Sequence, residues 1–248
     1  LAANRKQICG RISIQAALRN IELGMTAPQS GRFNPHYFDD AALPRAAVIG
    51  VSNPGNANRA RALAELDAAF TQFEDGVWSA VAVAALFSLA GQGESVEKMI
   101  QECILSLPVD SLSMNCVQAA LEGNSSNDTN ILTTALYLNS EVCNQIYSYG
   151  NIAHEILACL LVILKNTAGD FDEMIACAAL IPTTGSGLLA VCTALAALLN
   201  PNAFQESAMV DKYLSKLKGS SLPAMKAVDL IELSQHLAIH TSQKSRVD

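Results

Sequence analysis

Basic charge is scarce in this chain and lies scattered. The 248 residues carry 16 Lys and Arg against 23 Asp and Glu, a net charge of −7. Binding nucleic acid through its phosphates takes a concentrated basic face. No block of Lys or Arg occurs, so no nucleic-acid partner is expected. Aromatic residues make up only 5%. An unbroken, strongly apolar run of about 18 residues, the length that spans a bilayer, is also missing. Ile152–Leu164 comes closest, but His154 and Glu155 interrupt it and Lys165 ends it, so no membrane partner is expected. The seven cysteines are odd in number, and no Cys-x-x-Cys pair is present. Most of them fall inside apolar helical patterns, where Cys acts as a small buried hydrophobe, and a reduced, cytoplasmic setting is expected. Neither a Gly-x-Ser-x-Gly elbow nor a phosphate loop with its Lys occurs.

What the chain does have is a great deal of small apolar helix. Half of the residues are hydrophobic and the mean hydropathy is positive. Ile14, Leu18 and Ile21 form one helical stripe, and Ile152, Ile156, Leu157, Leu160, Leu161 and Leu164 form a wider one. Asn56, Ser95, Asp110 or Ser111, and Asp170 stand where helices need N-caps. Strand alternation is never sustained. The pattern predicts an all-α, compact, orthogonal multi-helix domain of about ten to twelve helices covering residues 1–248. Helices are expected over Asn58–Phe73, Val77–Ala90, Phe171–Ile181 and Pro223–Ala238. From Met25 to Pro54, five residues (Pro28, Gly31, Pro35, Pro44 and Pro54) predict an extended connection.

Chemistry has few candidates. Asp39-Asp40 lies in that connection, where a pair of carboxylates can serve a metal or an acid–base step, although an exposed turn with a capping Asp is the simpler reading. His36 is close by in sequence. His236 and His240 are four apart on one helix, but no third metal ligand accompanies them. Thr183-Thr184-Gly185-Ser186-Gly187 opens an apolar helix with hydroxyls and backbone N–H groups, which can hold an anion. A flexible turn is the plainer alternative.

Several stretches, in order, resemble the ADP-ribosylglycohydrolase family. From Gly24 to Pro108 they are Gly24, Pro28, Ser30 and Gly31, then Ala41–Arg45, Pro54-Gly55 and Asp67-Ala68. From Tyr147 to Leu180 the block ends in Gly169-Asp170-Phe171, Glu173 and Ile175. The resemblance implies an all-α fold that usually carries two magnesium ions. It also implies an acidic Asp-Asp-Thr metal motif near the N-terminus, which the chain is expected to lack as an N-terminally shortened member. A second motif, Asp-x-Asp-Ser/Thr, belongs where Thr183–Gly187 stands, and no Asp or Glu occurs between Glu173 and Glu206. Two magnesium ions need anionic ligands to offset the cost of leaving water. No metal site and no cofactor are therefore expected.

The leading expectation is a degenerate, non-catalytic member that keeps a pocket for ADP-ribose or a related nucleotide sugar. That pocket would lie between Phe33, Asn34, Ala42, Leu43 and Arg45 on one side and Thr183, Thr184, Gly185 and Ser186 on the other. One alternative is an active hydrolase of a glycosidic ADP-ribosyl or nucleoside bond, with Asp39, Asp40 or His36 as its acid. Another is a structural or interaction protein of the crystallin type that the family also includes. A homo-oligomer, or a partner completing the N-terminal region, is a further expectation.

Overall fold

The computed structural model describes residues 8–124, 130–146, 150–207, 217–220 and 222–244. Residues 147–149 of the family-like block and the His240 side chain lie outside this description. Among the described residues there are thirteen α-helices and no strand, in keeping with the all-α expectation.

The chain begins with α1 (Ile12–Glu22) and a single turn, α2 (Gln29–Arg32). A 3-10 turn, Asp40–Ala42, leads directly into α3 (Leu43–Val51). The Met25–Pro54 segment is thus not extended throughout. Pro44 starts α3 instead of breaking it, because the first helical turn has no use for a proline's missing N–H. Next come α4 (Ala57–Ala68), α5 (Asp75–Gln92), α6 (Val96–Leu105), α7 (Leu112–Gly123) and α8 (Ile131–Tyr137). The second half holds α9 (Ala153–Thr167), α10 (Phe171–Ala179), α11 (Gly185–Leu199), α12 (Pro201–Glu206) and α13 (Leu230–Lys244).

Local chemistry explains the helix starts. The side chains of Asn56, Ser95, Ser111 and Asp170 each accept from a backbone N–H three residues on. Two helices differ most from expectation. α4 stops at Ala68, short of Phe73, and the last helix starts at Leu230, after a 3-10 turn at Pro223–Met225. Gly76 is the second residue of α5 and breaks nothing. It is glycine because a Cβ there would lie 2.2 Å from the carbonyl oxygen of Tyr37.

Two helices organise the core. α5 packs against α3, α4, α6 and α9, and α9 against α7, α10 and α11. α9 is buried without a break from Ala153 to Leu164, so burial extends beyond its apolar stripe to the whole circumference, His154 and Glu155 included. Small residues let the helices around α5 close in. Ala60, Ala64 and Ala68 are buried on one face of α4. Where α3 crosses α5, a Cβ on Gly50 would meet the Ala84 carbonyl oxygen at 2.5 Å.

α5, and α11 with the turn before it, are long and apolar enough to cross a membrane by length and composition. The spans are 78% and 39% buried inside the fold. All seven cysteines are free thiols, and five of them are buried. The Sγ atoms of Cys143 and Cys159 lie 3.8 Å apart in the core.

Candidate functional site

The Asp39-Asp40 turn is held from three directions. Asp39 and Ile152 form an isolated antiparallel bridge. Around it the Asp40 N–H donates to the Asn151 carbonyl (2.9 Å), and the Ala153 N–H donates to the Phe38 carbonyl (3.0 Å). This ties the turn to the start of α9. From α1, the Arg11 guanidinium donates to Asp40 Oδ1 in an ion pair. From the far end of the chain, α11 begins against it. A Cβ on Gly187 would sit 1.7 Å from Asp40 Oδ2.

The turn is buried, which corrects the expectation of an exposed one. Asp39 is 0% exposed and Asp40 is 1%. Asp39 does cap the 3-10 turn: its Oδ1 accepts from the Ala41 N–H at 3.0 Å and from Gln72 Nε2 at 2.8 Å. The other oxygen of each carboxylate, Oδ2, is sealed and accepts no hydrogen bond. Burial pushes Asp40 up to about 7. Arg11 opposes that rise, and neighbouring Asp39 adds to it.

The remaining expected site residues are not gathered into one pocket. Ala42 and Leu43 are sealed in the core, so their side chains cannot meet a ligand. Asn34 is buried, and its amide donates to the carbonyls of Ser13 and Thr71. Arg45 is engaged by Asp67 at 2.7 Å and by the Thr71 hydroxyl at 2.9 Å. Phe33 faces solvent, 61% exposed. The half-buried His36 ring packs against Phe38. Thr183 donates to Asn139 Oδ1, and Thr184 is buried with its hydroxyl on the Ile181 carbonyl. Gly185 and Ser186 are exposed. Pro182–Thr184 is an ordered 3-10 turn that packs on the 150–151 segment, and a Cβ on Gly150 would lie 2.3 Å from the Thr183 carbonyl oxygen.

A cavity of about 370 Å³ opens nearby, which no local sequence pattern announces. Its walls include Tyr37, Glu74, Asp75, Trp78, Asp110 and His154. Buried Asp75 anchors one side, its Oδ1 accepting from the Ser113 N–H (2.7 Å) and hydroxyl (2.8 Å). His154 is pushed down by burial, against the pull of Asp75. Glu155, next in α9, is pushed up by burial, and its Oε2 accepts from the Asn144 N–H at 3.1 Å. Glu74 and Asp110 hold positive φ angles of 44° and 64°, in a region that favours glycine. Sequence reading missed Arg11, Gln72, Asp75 and Asn151. A single Arg ahead of a helix gives no local signal. The Asp75 side chain reaches the capped start of α7, 38 residues away.

The all-α fold is in keeping with one class of protein, the glycohydrolases of ADP-ribosyl groups. The ADP-ribosylglycohydrolase family model matches residues 3–181, and the chain belongs to that family. No curated protein and no solved structure matches it.

The residues present do not fit the family's magnesium pair. Among the described residues, no three His, Cys, Asp or Glu side chains are grouped to hold a metal. The Thr183–Gly187 turn brings only neutral oxygens, of which Thr184 is already engaged. Asp40 faces a guanidinium on one oxygen and the backbone of α11 on the other.

Proposed function

We propose that this chain is a metal-independent member of the family that does not hydrolyse ADP-ribosyl bonds, and that its fold serves a structural or interaction role. The observation that carries this is Gly187 seated against Asp40 Oδ2. The start of α11, where the family's second acidic motif belongs, is in backbone contact with the Asp39-Asp40 turn. No room for a ribose or a water remains between Gly187 and that carboxylate. The nearby cavity suits a diphosphate poorly. Glu74, Asp75 and Asp110 line it and no Lys or Arg does, so a doubly anionic ligand would meet like charge.

The test is release of ADP-ribose from ADP-ribosylated protein with magnesium present, alongside calorimetric titration with free ADP-ribose. The expected result is no turnover and no saturable heat. Turnover abolished by a chelator overturns the reading. Saturable binding without turnover restores the ligand-binding alternative.

A further inference from the structure

The mismatch between this site and a metal has a physical resolution within the chain. Two adjacent carboxylates are buried in the Asp39-Asp40 turn. Leaving them without a counter-charge would be costly, and breaking a buried pair on one side is among the larger single-site penalties. Asp39 is partly satisfied by Ala41 N–H and Gln72. Among the described residues Asp40 has one ionic partner, Arg11, whose side chain is 29% exposed while that of Asp40 is fully buried. Arg11 therefore keeps contact with water as it reaches Asp40 Oδ1, which lowers its own desolvation cost. Its planar fork suits a carboxylate, and its charge is permanent.

We propose that Arg11 is the resident cation of this site. It supplies from the chain itself the positive charge that a metal would otherwise bring, and it pins the start of α1 to the turn. The charged groups acting on Asp40 are Arg11 and Asp39. The α11 turn adds none; on α9 the titratable His154 feels the charge of Asp75, and Glu155 accepts from the Asn144 N–H. Stability is then indifferent to magnesium. The inference concerns folding energetics and stands whether or not the protein turns over a substrate.

The experiment is thermal unfolding of the full chain and its variants, at pH 5 and pH 8, with magnesium or with chelator. Wild-type melting is expected to be the same in both. Arg11→Ala is expected to lower the melting temperature at pH 8 by on the order of 5 °C. The drop is expected to be smaller at pH 5, where Asp40 takes up a proton and needs no partner. In the Arg11→Ala background, Asp40→Asn is expected to restore most of the loss, and Arg11→Lys is expected to fall between wild type and Arg11→Ala. If Arg11→Ala does not fold, the double variant must fold for the proposal to stand. A loss equal at both pH values, or one that Asp40→Asn leaves unchanged, means that Arg11 only packs α1 and overturns the proposal. So does a wild-type melting temperature that rises with magnesium.

Discussion

Two acidic regions meet near the start of α9, and they handle charge in opposite ways. The Asp39-Asp40 turn is sealed, with one guanidinium for two carboxylates and two oxygens left without hydrogen bonds. The Glu74–Asp75 corner borders an open cavity, and Asp75 is satisfied by a serine N–H and hydroxyl. In the first, packing forces the chemistry: a buried carboxylate must be paired or protonated. In the second, the hydrogen bonds from Ser113 offset the cost of burying Asp75. Acidic residues alone therefore do not mark a site here. Their surroundings decide whether they are structural counter-charges or a wall facing solvent.

Substitutions can break this contrast. The largest effect is expected for Gly187→Ala, whose methyl would enter the space of Asp40 Oδ2. It should destabilise by about 3 kcal/mol, measured by urea unfolding. A loss near zero would mean that the turn and α11 part easily.

The next effect is on pH dependence. Asp40 sits at about 7 in the folded chain, above its ordinary 3.8. Between those values the folded chain holds a proton that the unfolded chain has released. Stability from this group is therefore highest at the acid end and falls as pH rises, until the group is ionised in both states just above 7. Asp40→Asn should remove this decline, worth on the order of 2 kcal/mol between pH 5 and 8. The readout is the pH profile of unfolding midpoints for wild type and variant.

Asp75→Ala should cost about 2 kcal/mol by stranding the Ser113 donors at the start of α7. Hydrogen exchange at the first turn of α7 should rise with it. The smallest change is a gain: Glu74→Gly should stabilise by about 1 kcal/mol by relieving its positive φ. A gain at the open corner and a loss at the sealed turn would sharpen the comparison. Losses at both would blur it.

Much of the fold was legible because its signals are local. Asn56, Ser95, Ser111 and Asp170 cap within three residues of themselves, and apolar spacing marks α9 from its own sequence. The site was harder to read because its partners are remote. Arg11 finds Asp40 across 29 residues. Asn151 and Gly187 reach the turn from beyond the middle of the chain. Asp39-Asp40 looks like any polar turn until α9 and α11 close over it. Pro44 misled in the same way, since a proline that breaks one helix is equally suited to begin another.

The burial of the thiols gives the molecule an internal clock. Cys103, Cys143, Cys159, Cys177 and Cys192 are buried, whereas Cys9 is exposed and Cys116 is partly so. Burial also holds the Cys103 and Cys177 thiols up at about 12 and 11, so little thiolate is present to react. An alkylating reagent therefore meets one or two cysteines on the native chain, and the rest only when helices separate. Counting adducts by mass over time turns each buried sulfur into a timestamp for the opening of the segment around it.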